Sequence, residues 1–274
     1  RGILSTIASI FDPLGFLAPY VLKGKLILQA LCRQGHDWDT PLDDKVQLKW
    51  ESFVSDLSHL RALQIPRCFA PTSFGKIKLS ELHHFSDAST VGIGQVSYLR
   101  IVDEFDNVHN TLVSAKARVA PTKSITMPRM ELQAAVLSAK MAAFLQKELQ
   151  LPFVSSHHFW TDSKVVLGYI RNETRQFHIY VANRIKIIRD RTKPAQWHFI
   201  SGELNPADVA SRGCTVHELA SSSWFLGPKF LYDIDSLSDN LRNMEEEISN
   251  EDPDVRKCLS TSSEVSTVMV HRLK

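Results

Sequence analysis

Four cysteines are all that the 274 residues contain: Cys32, Cys68, Cys214 and Cys258. They lie too far apart for a C-x-x-C metal knuckle and are too few for a disulfide framework in a chain of this length. They read as reduced, intracellular thiols. Long apolar runs are lacking as well: nothing approaches the roughly 20 residues of a membrane helix, and the stretch from Tyr20 to Cys32 is broken by Lys23 and Lys25. No membrane span is expected. Nor is there an excess of one charge, since 32 Lys and Arg against 30 Asp and Glu leave +2. Any affinity for a polyanion must therefore come from a local patch. What is present, 43% hydrophobic and 23% charged residues, is an ordinary globular composition with room for one or two domains. The chain opens at Arg1 with neither a methionine nor a signal-like segment, which reads as a piece of a longer polypeptide.

Residues 1 to about 76 read as helical. Asp12-Pro13-Leu14-Gly15 marks a turn between two apolar segments, and Val46, Trp50, Phe53, Leu57 and Leu60 recur at steps of four and three, the single apolar stripe of a helix of about twenty residues. This part packs against something and offers no chemistry. Pro66, Pro71 and Gly75 then break the pattern, which places a domain boundary near 76. Between 77 and 217 the spacing predicts three strands in a meander (79–86, 91–102, 108–119), a helix from Pro128 to about Leu149, a strand at 157–161, and helices from Asp162 to about Ile170 and from His178 to about Arg191. A fifth strand follows at 196–200. Asn205 then caps a last helix that has Pro206 at its first position. The order β-β-β-α-β-α-α-β-α implies an α/β fold, a mixed five-stranded sheet with helices on its faces. After about 217 the chain turns serine-rich and acidic, with Glu245-Glu246-Glu247, Asp252 and Asp254. Residues 218–274 read as a linker, although Trp224-Phe225-Leu226-Gly227-Pro228-Lys229-Phe230 has the makings of a segment that docks back.

Four acids fall at element ends: Asp87 after the first strand, Glu131 at the start of the long helix, Asp162 after the fourth strand and Asp208 at the start of the last helix. Taken singly, each fits a turn, a cap or a first-turn dipole partner. Taken together they mean more. If the first and fourth strands are neighbours, Asp87 and Asp162 project side by side and the helix starts bring Glu131 and Asp208 over the same edge. Carboxylates so crowded raise one another's pKa unless cations sit among them, and an all-oxygen set selects hard ions. Mg²⁺ or Mn²⁺ is the expected cofactor, as a pair about 4 Å apart on a phosphodiester.

Ser86-Asp87-Ala88-Ser89 with Gly92-x-Gly94, Met130-Glu131-Leu132, Trp160-Thr161-Asp162-Ser163, and Asn205-Pro206-Ala207-Asp208-x-x-Ser211-Arg212-Gly213 resemble, in that order, the motifs of a ribonuclease H domain. The last of them looks most like the domain in Bel/Pao-type LTR retrotransposon Pol polyproteins. Phe11-Asp12-Pro13-Leu14-Gly15 and Trp224-Phe225-Leu226-Gly227-Pro228 resemble the segments flanking that domain, so the likeness spans about residues 1–230. It implies a ribonuclease H-like fold preceded by a small helical segment (1–76) similar to the reverse-transcriptase thumb or connection. It also implies hydrolysis of the RNA strand of an RNA–DNA hybrid, with water as the nucleophile. By that resemblance Asp87 bridges two ions, Glu131 and Asp162 hold the ion on the leaving-group side, and Asp208 holds the ion carrying the water. Relatives with a mobile histidine just before the last aspartate differ from this chain, in which the nearest is His198, inside a predicted strand.

Hybrid binding calls for cations and hydroxyls. Arg171, Arg175, Arg184, Lys186, Arg189, Arg191 and Lys193 stand against only Glu173 and Asp190, a local excess of five positive charges that reads as a phosphate track. The other reading is a solvated helix face. Ser89, Thr161 and Ser163 are the candidate contacts to backbone or 2′-hydroxyl groups. A polymerase palm's Tyr-x-Asp-Asp, a pepsin-like Asp-Ser/Thr-Gly and an integrase His-His-Cys-Cys set are all missing. The resemblance thus implies a fragment between polymerase and integrase, with the polymerase domain of the same polyprotein as partner, in a cytoplasmic particle or the nucleus. The competing reading is a non-catalytic nucleic-acid-binding or structural module on the same fold.

Overall fold

A computed structural model describes residues 1–66, 68–149, 154–241, 249 and 251–256. Three helices come first, α1 (Gly2–Ser9), α2 (Ala18–Arg33) and α3 (Asp44–Leu57), followed by strands β1 (Ile77–Ala88), β2 (Gly92–Asp103) and β3 (Val108–Val119). Next are α4 (Met127–Leu149), β4 (Ser156–Thr161), α5 (Lys164–Arg171), α6 (Ile179–Arg189), β5 (Trp197–Phe199), α7 (Ala207–Arg212), α8 (Val216–Ser221) and α9 (Ile234–Leu241). The five strands form one mixed sheet in the order β3-β2-β1-β4-β5. The meander β1-β2-β3 is antiparallel, while β4 and β5 join parallel to β1 through helical crossovers. Among the described residues no helix is long and apolar enough to cross a membrane.

Helices cover both faces of the sheet, which is why β2 is buried along its whole length. The period of two along β1 and β4 sorts their side chains: Leu82 and Phe159 face α4, α5 and α6, whereas Phe85 and Trp160 face the opposite layer. That opposite core contains Leu22 of α2, Ala207 and Ala210 of α7, and Trp224, Phe230, Leu231 and Leu237. The N-terminal helices and the segment after 217 therefore share one core with the sheet. Trp224 makes this concrete. Its indole N–H donates to the Phe16 carbonyl at 2.8 Å, and its own carbonyl accepts from the Tyr98 hydroxyl at 2.7 Å.

Asp12 sets the entry to α2 by accepting the Phe16 and Leu17 amides, both at 2.9 Å. The same turn covers part of the outer edge of β3, where the Ala115 amide donates to the Leu14 carbonyl at 2.8 Å. In α3, which is capped by Asp43, Phe53 stacks on Tyr20 of α2 with centroids 4.7 Å apart. The helical stripe expected over about twenty residues ends at Leu57 and continues as a 3₁₀ turn to Ala62.

The linker expectation fails at Asp252 and Asp254. Asp254 is buried and receives a guanidinium fork from Arg129, with contacts of 2.6 and 3.1 Å, while both oxygens of Asp252 accept from the Tyr169 hydroxyl at 2.9 and 2.8 Å. Acidic composition reads as solvated chain only when no distant partner exists, and these partners lie more than eighty residues away. Glu245-Glu246-Glu247, the terminal serines and Cys258 lie outside the described residues. Cys32 and Cys68 are exposed, Cys214 is buried, and none of the three is in a disulfide.

Candidate active site

Parallel pairing of β1 with β4 matches Ser86 to Thr161, so the next residues, Asp87 and Asp162, leave adjacent strands at the same end of the sheet. Glu131 lies one turn into α4, and Asp208 lies at the start of α7. All four line one open cleft of about 490 Å³, together with Ser89, Thr90, Met127, Gly202, Glu203 and Arg212.

The Gly92-x-Gly94 motif explains how α7 reaches this position. A Cβ on Gly94 would lie 2.5 Å from the Ala207 carbonyl oxygen and 2.6 Å from the Ser211 amide, and one on Gly92 would lie 2.5 Å from the Ser211 carbonyl oxygen. Side chains there would push α7 off β2, whereas two glycines let the helix backbone rest on the strand. Asn205 ties the approach down, donating to the Ser86 carbonyl at 3.1 Å and accepting the Ala207 amide at 3.1 Å. The helix itself starts at Ala207, with Pro206 as its cap residue, one position later than expected.

Three of the carboxylates have a polar partner, two of them on another element and one on the same helix. The buried Ser211 hydroxyl donates to Asp87 Oδ2 at 2.5 Å, the Ser163 hydroxyl donates to Glu131 Oε2 at 2.6 Å, and Arg212 Nε donates to Asp208 Oδ1 at 2.5 Å. Asp162 is different: its Oδ1 is buried without a hydrogen-bond partner. The electrostatics follow from this crowding. Burial, and then the charge of Asp87, push the Asp162 carboxyl up to about 6, with Glu131 and Asp208 adding to the effect. Asp87 is raised by burial and by Asp208 against the pull of Ser211, and Glu131 by burial and by Asp87 against the pull of Ser163. Repulsion of this kind ties Asp162 to each of the other three.

A hard divalent cation suits this donor set. Every donor is oxygen, one oxygen is buried and unpartnered, and the charges repel in the absence of a counter-ion. As they stand the side chains are turned toward Ser211, Ser163 and Arg212, and among the described residues no three His, Cys, Asp or Glu groups converge on one metal position.

The expected nucleic-acid contacts fare differently. Ser89 is buried, donating to the Ser211 carbonyl at 2.7 Å and accepting the Val91 and Gly92 amides. Thr161 Oγ1 accepts the Ser163 amide, and Ser163 caps α5 besides holding Glu131. These hydroxyls brace the site from within. On the expected phosphate track, Arg171 donates to the Trp197 carbonyl, Arg184 donates to the Tyr180 carbonyl and lies 3.3 Å over that residue's ring, and Arg189 bonds the Ile170 and Asn172 carbonyls at the end of α5. Arg175 is likewise engaged within the protein. Lys186 is exposed on α6. His198 is a core residue, its ring 4.9 Å from that of Trp160 and its Nε2 3.3 Å from His158 Nδ1, and burial lowers its pKa to about 3.

Ser211, Arg212 and Glu203 were passed over as site residues on sequence. The i,i+4 spacing of Asp208 and Arg212 on one helix was the available signal for that pair. The glutamate at 203 had none.

The family described as the Pao retrotransposon-like RNaseH-like domain matches residues 1–163, and the chain belongs to that family. Its sheet and helices are those of an RNase H-like fold. Solved structures similar to it include the N-terminal RNase H domain of rv2228c from Mycobacterium tuberculosis, at 10% identity and a TM-score of 0.32, covering 48% of this chain and 93% of that one. RNase H1 from Halobacterium salinarum is similar at 10% identity and a TM-score of 0.28, covering 48% and 91%. The foamy viral protease-reverse transcriptase dRH in complex with ds DNA is similar at 12% identity and a TM-score of 0.27, covering 73% and 33%. No curated protein matches the chain.

Proposed function

We propose that the chain is a ribonuclease H that hydrolyses the RNA strand of RNA–DNA hybrids during reverse transcription of its element, working beside the polymerase domain of the same Pol polyprotein. The observation that carries the reading is the convergence of Asp87, Glu131, Asp162 and Asp208, from two adjacent strands and two helices, on one cleft. These four carboxylates would hold two Mg²⁺ or Mn²⁺ ions. When bound, such ions lower the pKa of a water nucleophile and offset charge on the leaving oxygen, so no side chain need act as an obligate general base.

The chain's own residues do the rest. Ser211 and Ser163 fix the orientation of Asp87 and Glu131 through charge-assisted hydrogen bonds. Arg212, whose side chain is 66% exposed, balances Asp208 and presents a guanidinium at the rim of the cleft. Arg171 and Arg189 on α5 and α6 spend donors on carbonyls of the protein itself, so the first contacts to substrate fall to groups nearer the cleft.

The test is strand-selective cleavage. Hybrids labelled on either strand are incubated with the chain and with its Asp87→Asn and Asp162→Asn variants, and product ends are analysed. Shortened RNA bearing 5′-phosphate and 3′-hydroxyl ends, with intact DNA and no products from either variant, is the expected result. Hybrid that is retained but never cut supports the non-catalytic reading instead.

A further inference from the structure

The carboxylate cleft adjoins two others. Arg212, on its rim, also lines a cleft of about 860 Å³ between α2 and α3, while Thr90 also lines a cleft of about 330 Å³ beside α2. Leu26 and Ala30 are common to these two, so the three clefts adjoin one another, and α2 of the N-terminal helical segment lines the two beyond the carboxylates. The charged lining of the two clefts beyond the carboxylates is mostly basic: Arg212, Lys23 and Lys49 in the wide cleft and Arg33 in the narrow one. Asp56 is the carboxylate lining the wide cleft, and it is already occupied, accepting the Val216 amide at 2.8 Å and pairing with His59 at 3.2 Å. Glu218, which lies close enough to feel the Lys23 charge, is spent on the α8 cap.

A second cluster extends the basic surface around α2. Burial, and then the nearby charges of Lys116 and Arg118 on β3, lower the Lys25 pKa, with Asp12 acting the other way. Asp12 is held by two backbone amides. Like charges crowded on a folded surface cost stability, and a polyanion relieves that cost. The contrast with α5 and α6 is informative, because several of the arginines there are committed to carbonyls while Lys23, Arg33 and Lys49 form no salt bridge among the described residues.

We propose that these two basic clefts bind the sugar–phosphate backbone of the nucleic acid as it leaves the carboxylate cleft, through Arg212, Lys23, Lys49 and Arg33. The proposal rests on the nuclease reading above and adds a binding track on the N-terminal helices. Lys23 and Arg33 are ten residues apart on α2, about 15 Å along the helix, which matches about four phosphates of one strand.

The experiment uses the full chain in chelator, so that nothing is cut, with fluorescent hybrids of about 8 and about 20 base pairs titrated over a series of salt concentrations. The wild type gains affinity with length. The Lys23→Gln/Arg33→Gln/Lys49→Gln variant loses that gain: its affinity for the longer hybrid falls about 10- to 100-fold, and the slope of log K against log salt drops by about three, one for each phosphate contact removed. The single exchanges Arg33→Gln and Lys49→Gln, at exposed positions, each lower the slope by about one and keep the result readable should the triple variant misfold. A wild type that binds hybrid in chelator and cleaves it once Mg²⁺ is supplied, while the variants keep its length dependence and slope, overturns the track alone. A wild type that neither binds either hybrid in chelator nor cleaves it in Mg²⁺ overturns the nuclease reading and this proposal together.

Discussion

Replacing Asp162 with asparagine is expected to make the metal-free protein more stable while destroying its activity. Asp162 is pushed up to about 6 from an ordinary 3.8, chiefly by burial and by Asp87. The folded chain therefore binds a proton more readily than the unfolded chain between these two values. The stability linked to that proton is complete below pH 3.8 and is lost as the pH rises through 6. At pH 7 the wild type has lost it, whereas an amide never ionises. About two pKa units at 1.36 kcal/mol each set a ceiling of about 3 kcal/mol, and partial solvent access to the side chain brings the expectation down to about 1–2 kcal/mol. For a chain of this size that is a rise of roughly 2–8 °C in Tm. The assay is thermal unfolding in chelator at pH 7 and at pH 4, beside hybrid cleavage in Mg²⁺. The expected pattern is a higher Tm at pH 7, a gain that shrinks toward pH 4, and no cleavage. A Tm that falls at pH 7, or a gain of equal size at both pH values, refutes the reasoning, because the carboxylate would then not be carrying uncompensated charge.

The same repulsion predicts that Mn²⁺ raises the Tm of the wild type and raises that of Asp162→Asn by less, as read in parallel melts with and without chelator. Ser211→Ala removes the 2.5 Å bond to Asp87 and should lower cleavage about 10- to 100-fold, as loss of a group that orients a metal ligand usually does, which initial rates on a labelled hybrid will measure. His83 and His198 are buried with pKa values lowered to about 4 and about 3 from 6.5, so the unfolded chain takes up their protons first. Stability is whole above about pH 6.5 and falls below it by about 2–3 kcal/mol per histidine by pH 4. His198→Phe should flatten that decline in denaturant titrations run across the range. Asp254→Ala leaves Arg129 without its carboxylate at the start of the helix that carries Glu131 and should cost about 2–3 kcal/mol in denaturant unfolding.

Much of the sheet was legible because its strands are short runs rich in β-branched and aromatic residues, bounded by turn residues. The acids at its edge were legible because four of them fell at element ends in a familiar order. Interactions that depend on distant partners were not. The glycines at 92 and 94 are known from sequence only as part of a motif, and their reason appears when α7, more than a hundred residues later, is seen lying on them. Seven cations along 171–193 look like a phosphate track until Arg189 is found closing the end of α5 across 17 to 19 residues. Asp252 and Asp254 look like linker charge until Tyr169 and Arg129 supply their partners. In each case local composition was read correctly and the tertiary contact changed its meaning.

The central claim is that Asp87, Glu131, Asp162 and Asp208, which line one cleft, act together as a paired metal site. Mn²⁺ titration followed by electron paramagnetic resonance, with hybrid bound, tests it most directly. Two ions held per chain with magnetic coupling between them, and loss of the coupled signal in Asp87→Asn, is the result predicted. Coupled binding that survives in Asp87→Asn, or no specific binding by the wild type, would contradict it.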